Sequence, residues 1–126
     1  MQLNPDCIRD ILLTVERHAT FDDDVEPEAF VTDGLPQRYG EQQLLYHIRQ
    51  ASEAGLLDRV EFFASGFAIR DLTPKGHEFL ANVRLDKNWR KTKEVAAKIG
   101  STSLKALMTV AANVISTLIE KTMYPN

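Results

Sequence analysis

The chain is poor in cysteine, in long apolar runs and, over its first half, in positive charge. Cys7 is the single cysteine. It can form no internal disulfide, which predicts a reducing compartment, the cytosol. No run of eighteen apolar residues is present to span a bilayer, and Met1-Gln2-Leu3-Asn4-Pro5-Asp6 has no basic stretch before an apolar core. Neither a membrane partner nor a signal peptide is therefore expected. Repeats of solenoid length and low-complexity tracts are also lacking. There is no glycine-rich phosphate loop, no G-x-S-x-G elbow and no basic neighbour at useful spacing from Cys7, so nothing supports catalysis and the chain is expected not to be an enzyme.

Metal chemistry finds as little. His18, His47 and His77 lie about thirty residues apart, with no HxxxH, CxxC or HxxE pair beside them. Asp22-Asp23-Asp24 lacks the glycine turn and distal glutamate of a calcium loop. No metal and no cofactor are expected. His47, beside a buried stripe, and His77, just after a helix cap, are expected to be partly buried and hydrogen-bonded to backbone.

What is present is a composition of 44% apolar and 26% charged residues over 126 positions, the profile of one soluble domain plus a tail. Residues 1–85 are expected to form the domain. Residues 86–126 form a basic segment and an amphipathic helix that packs on that domain or on a second copy. Residues 1–58 hold four Lys/Arg against twelve Asp/Glu, and residues 59–126 hold eleven against six. This asymmetry implies a charged partner or an electrostatic match between the halves.

Asn4-Pro5-Asp6 combines a capping side chain, a preset φ and an acid at the positive end of the helix dipole. With Ile8, Ile11, Leu12 and Val15 at helical spacing it predicts a helix over 5–18. Residues 21–28 are acidic and interrupted by Pro27, predicting an exposed loop. Residues 29–36 read as a short strand and turn or as a short, distorted helix, broken by Gly34 and Pro36. Leu44, Leu45, Ile48 and Ala51 predict a helix over 40–54, with Gly55 at its left-handed end. Residues 57–63 and 67–72 are rich in strand formers around Ala64-Ser65-Gly66, the mark of a hairpin. Thr73 before Pro74 predicts a capped helix with Phe79, Leu80 and Val83 inward. Gly100-Ser101 is expected to break the chain and cap a last helix over 101–123. Its apolar face holds Leu104, Leu107, Met108, Ala111, Val114, Ile115, Leu118 and Ile119.

This order predicts an α+β, mostly α fold: a winged helix-turn-helix with a two-stranded wing and added C-terminal helices. The segments Tyr46-His47-Ile48, Glu53-Ala54-Gly55-Leu56-Leu57, Leu72-Thr73-Pro74-Lys75-Gly76-His77-Glu78-Phe79-Leu80 and Asp86 with Trp89, Lys91, Thr92 and Lys93 carry a resemblance over about residues 4–98. They resemble a family of small uncharacterised proteins of bacteria, phages and prophages, a domain of unknown function akin to YjcQ-type winged-helix proteins. The resemblance implies the fold and a phage or mobile-element setting, and supplies no catalytic residues. The chain departs from the family pattern in its acidic 22–28 loop, its broken second helix and Pro74, where an aromatic is more usual.

A DNA-reading helix presents Arg, Lys, Asn or Gln to base edges with cations beside them. Here Gln42, Gln43, Arg49 and Gln50 are offered alongside Glu41 and Glu53, and the wing tip carries no base. Arg59 and Arg70 could meet phosphates, but cross-strand pairing with Glu61 or Asp71 is the simpler account. Lys87, Trp89, Arg90, Lys91 and Lys93 form a candidate basic patch. Against that reading stands one in which Trp89 packs on the core under lysine stems. Leu107, Ile115 and Leu118 form a candidate dimer face. The expected function is non-enzymatic: a protein-binding or regulatory module of phage or mobile-element origin that self-associates, its partner a protein or a second copy. A DNA-binding transcriptional regulator is the alternative, which the charge balance does not favour.

Overall fold

The computed structural model describes residues 1–125. It is α+β and mostly helical: α1 (Pro5–His18), α2 (Pro27–Thr32), α3 (Leu35–Tyr39), α4 (Glu41–Glu53), β1 (Leu57–Phe63), β2 (Gly66–Leu72), α5 (Pro74–Val83), α6 (Asp86–Ile99) and α7 (Leu104–Met123). The chain divides into two compact units, Met1–His77 and Glu78–Asn126.

In the first unit α1 starts where its capping residues place it. The Asn4 side chain accepts from the Asp6 N–H at 3.0 Å, and Pro5 opens the first turn. Cys7, Ile8, Ile11, Leu12 and Val15 are fully buried along one stripe, against α2, α3, α4 and β2. Residues 29–36 form no strand: they fall in two short helices, α2 and α3, separated by a turn at Asp33-Gly34, where the φ of 79° at Gly34 suits glycine. The 21–28 segment is a loop up to Glu26, but it is not wholly exposed. Val25 is buried and exchanges two backbone hydrogen bonds with Ile69, so β2 is bonded on both edges. Pro27 and Glu28, expected in the loop, already belong to α2.

β1 and β2 pair antiparallel with Phe63 opposite Gly66, leaving the two-residue turn Ala64-Ser65. Phe67, Ile69 and Leu72 alternate inward on β2. The Phe67 ring meets Phe30 edge-on at 5.3 Å, fastening α2 to the sheet. Among the described residues Arg59 is the one non-glycine residue with positive φ, at 50°.

The end of α4 is closed by a Schellman pair: the Leu56 N–H donates to the Ala51 carbonyl and the Gly55 N–H to that of Ser52, with Gly55 at φ 79°. Thr73 then ties this turn to the start of α5. Its hydroxyl donates to the Gly55 carbonyl and accepts from the Gly76 N–H, and its own N–H donates to the Leu56 carbonyl. Gly76 is buried here, and a Cβ at this position would stand 2.2 Å from the Leu56 oxygen. The Glu53–Leu57 and Leu72–Gly76 segments, far apart in sequence, are thus two halves of one lock.

In the second unit α6 ends at Gly100 (φ 84°), with Ser101 N–H donating to the Ala96 carbonyl. Ser103, not Ser101, caps α7, accepting from the Ala106 N–H at 3.1 Å, so the helix starts at Leu104. α6 packs on α7. Trp89, Thr92, Ala96, Leu107, Val110 and Ala111 are buried, whereas the C-terminal half of α7 is open to solvent.

Candidate functional site

Two polar clusters hold α1 to the segments that support α4. Asp10 accepts from Arg38 Nη1 at 2.7 Å and from the Tyr39 hydroxyl. Burial, then the Asp10 carboxylate, pushes the Tyr39 phenol upward from its ordinary value. Asp33 meets Arg17 Nη1 at 2.5 Å and His18 Nε2 at 3.1 Å. Its desolvation alone would raise its pKa, but hydrogen bonds from His18 and Thr14 and the charges of Arg17 and His18 outweigh that, and the net shift is downward. His47 is fully buried. It bridges the Asn4 N–H, which donates to Nε2 at 2.7 Å, and the Gln43 carbonyl, which accepts from Nδ1 at 2.7 Å. These two backbone partners fix the neutral Nδ1–H tautomer. His77, by contrast, is exposed, and its Nε2 stands 4.0 Å from an Asp71 oxygen rather than on backbone. Burial, and secondarily Asp10, pushes the Cys7 thiol up to about 12. Among the described residues no His, Cys, Asp and Glu gather at metal-binding spacing.

The outer face of α4 carries the candidate DNA-reading residues. Gln42 and Arg49 are exposed, and Gln43 and Gln50 are half-buried. Gln42 and Arg49 line one concavity with Met1, Leu45, Tyr46 and Phe62. On the hairpin, Arg59 is exposed and Arg70 Nε lies 3.7 Å from Asp58 Oδ2. Its partner is therefore neither Glu61 nor Asp71. The residues that dominate this side were not among the sequence candidates. Val31, Phe62 and Phe63 are 52%, 48% and 56% exposed. With Pro27, Leu45 and Ala64 they flank a groove of about 380 Å³ between the α2–α4 segment and the hairpin tip, with Glu41 at its rim. The adjacent pair Phe62-Phe63 was the available signal. Neighbouring strand residues point to opposite faces, so a two-stranded hairpin can bury at most one of them on its inner side.

On the second unit the candidate patch is split by burial. Lys87, Arg90 and Lys91 are exposed, whereas Trp89 is 4% exposed, with Lys93 Nζ 5.4 Å over its ring. Trp89 is a core residue under a lysine stem and offers no stacking face. Lys91 Nζ lies 3.8 Å from Glu94. The candidate dimer face is corrected in the same way. Leu107 is 1% exposed and belongs to the core, Ile115 is half-buried, and only Leu118 is exposed. Ile119 and Met123 extend the open stretch.

A family model described as "Hypothetical protein (DUF2513)" matches residues 2–103, and the chain belongs to that family. An uncharacterized protein of Haemophilus influenzae is 28% identical over 123 residues, covering 94% of this chain and 99% of its own length. No solved structure matches the chain. No helix among the described residues is long and apolar enough to cross a membrane.

Proposed function

We propose that the protein is a non-enzymatic winged-helix module that binds protein through the face on which winged-helix proteins of the DNA-binding kind read DNA. The element order supports the fold. α1, the Val25 bridge, the α2–α3 pair, α4 and the β1–β2 hairpin follow the succession of helix, short strand, two helices and two strands, with the last strand central. In this reading α4 is the recognition helix and β1–β2 the wing.

The observation that carries the protein-binding reading is the groove beside α4. Where a duplex would require cations, it offers Val31, Leu45, Phe62 and Phe63 with Glu41. The unit that holds it carries seven Lys/Arg against fourteen Asp/Glu over residues 1–77. Exposed aromatic and aliphatic side chains around a concavity suit an apolar anchor from another protein. Self-association is part of the same reading and rests on Leu118, Ile119 and Met123, which are 39%, 51% and 65% exposed on α7. A cytoplasmic location accords with the lone buried Cys7, and a phage or mobile-element setting rests on the family resemblance in residues 46–93.

The test uses the full-length chain as bait in lysate of its native host, with Phe62→Ser plus Phe63→Ser and Arg49→Ala as separate baits. Loss of a defined protein partner with the double serine variant alone, at unchanged thermal stability, supports the proposal. Sub-micromolar, sequence-selective binding of duplex DNA that is lost with Gln42→Ala or Arg49→Ala overturns it in favour of a transcriptional regulator.

A further inference from the structure

We infer that the groove between α6 and α7 takes the Phe21–Asp24 loop of a second copy of this chain. The groove has a volume of about 470 Å³ and lies within the second unit. Its walls are two helical stripes, with Lys87, Lys91, Val95 and Ile99 at successive fourth positions on α6 facing Val110, Val114 and Leu118 on α7. At 1.5 Å per residue the α6 stripe is about 18 Å long. α6 and α7 pack on each other along their length and are joined by only four residues, a connection that makes packed helices antiparallel neighbours. The start of α6 therefore lies beside the end of α7, and Lys87 and Lys91 gather with Lys121 at one end. Val95, Ile99, Val110 and Val114 fill the other end, and no carboxylate lines the groove.

The occupant such a groove fits has an apolar anchor followed at once by negative charge. This chain holds one in Phe21-Asp22-Asp23-Asp24. Phe21 is 99% exposed, the most exposed large apolar side chain in the structure, and the three aspartates after it are all exposed. The loop already has a defined shape, because Asp23 N–H donates to Thr20 Oγ1 at 2.9 Å and the Thr20 hydroxyl donates to Asp23 Oδ2. That turn lowers the cost of ordering the loop on binding. Lys91 has a competing partner in Glu94 at 3.8 Å, but both side chains of that pair are more than half exposed, so it holds the lysine weakly. The charges of the two units match the assignment, since residues 78–126 carry eight Lys/Arg against four Asp/Glu. Reciprocal exchange about a two-fold axis fills both grooves and closes the assembly as a dimer.

The inference deepens the self-association part of the proposed function, and a charge-swap experiment separates the two. One chain carries Asp22→Lys with Asp24→Lys, a second carries Lys91→Glu with Lys121→Glu, and a third carries Ile119→Glu with Met123→Glu. Sedimentation velocity over a wide concentration range is run on each alone and on the first two mixed. All six positions are exposed, and far-UV circular dichroism checks the fold. We expect the wild type to dimerise and high salt to weaken the dimer. The first two variants should each be at least tenfold weaker alone and should form a heterodimer when mixed. A monomeric wild type overturns the inference, including one that binds an anionic amphiphile or a foreign acidic peptide in the groove. So does a wild-type dimer indifferent to both charge reversals. If that dimer is lost only in the Ile119→Glu and Met123→Glu variant, self-association through the open half of α7 stands and the loop-in-groove contact falls.

Discussion

Gly76 and Thr73 show how much a single side chain, or its absence, can fix. The Leu-Thr-x-x-Gly pattern is legible in the sequence as a helix start, but only the structure shows why its glycine is needed. A Cβ at residue 76 would sit 2.2 Å from the Leu56 carbonyl oxygen, and that oxygen cannot retreat because it accepts from the Thr73 N–H. Gly76→Ala is therefore expected to cost about 2 kcal/mol or more, as overpacking against fixed backbone does. Thr73→Ala loses the cap on Gly76 and the bond to Gly55, and is expected to cost about 1–2 kcal/mol. Urea denaturation measures both, and a Gly76→Ala protein as stable as wild type would mean that α5 does not approach Leu56 this closely. Cys7 is a second case at this scale. With full burial and a thiol pushed up to about 12, it should resist thiol reagents in the native protein and react only after opening.

At the scale of elements, the helix and strand limits that depend on local chemistry were legible. Asn4-Pro5-Asp6, Gly55, Ala64-Ser65-Gly66 and Thr73-Pro74 each act within a few residues, and α1, the end of α4, the hairpin and α5 lie where those signals place them, except that Gly66, expected in the turn, is the first residue of β2. What depends on a partner from elsewhere in the chain was not legible. Val25 is buried where β2 offers it an edge, and the α2–α3 pair is held to α1 through Asp33 and Asp10 and to β2 through the Phe30–Phe67 contact. Periodicity likewise placed Leu107 and Leu118 on one face of α7 without showing that the first is covered and the second is not. The Asp33 cluster gives this scale its prediction. The folded-state pKa of Asp33 lies below the unfolded value of about 3.9, so on acidification the unfolded chain takes up its proton first. The stability Asp33 contributes is fully present above that unfolded value and is lost as pH falls through the lowered folded one. Asp33→Asn should destabilise the protein at neutral pH and flatten the pH dependence below about pH 4; an unchanged acid limb in denaturation curves would mean that the Arg17, His18 and Thr14 contacts do not persist in solution.

At the scale of the whole chain the two units differ in the sign of their charge, and this bears on what each can do with nucleic acid. Residues 1–77 are strongly acidic in balance and residues 78–126 basic, so the helix and hairpin that would have to read a duplex belong to the half that repels it. The exposed cations of that reading face are few. Arg49 and Arg59 are open, while Arg70 has Asp58 beside it. Two phosphate contacts give a slope of log affinity against log salt of about −2, far shallower than that of proteins making six or more such contacts. Any duplex binding seen at low salt is instead expected to run through Lys87, Arg90 and Lys91, which are exposed along α6. Reversing these three to Glu should then abolish the residual binding, while Arg49→Glu with Arg59→Glu should leave it nearly unchanged, as measured by anisotropy of a labelled mixed-sequence duplex. The opposite outcome, with a steep salt slope that depends on Arg49 and Arg59, would mean that α4 and the hairpin do face DNA and that the apolar groove beside them serves some other contact.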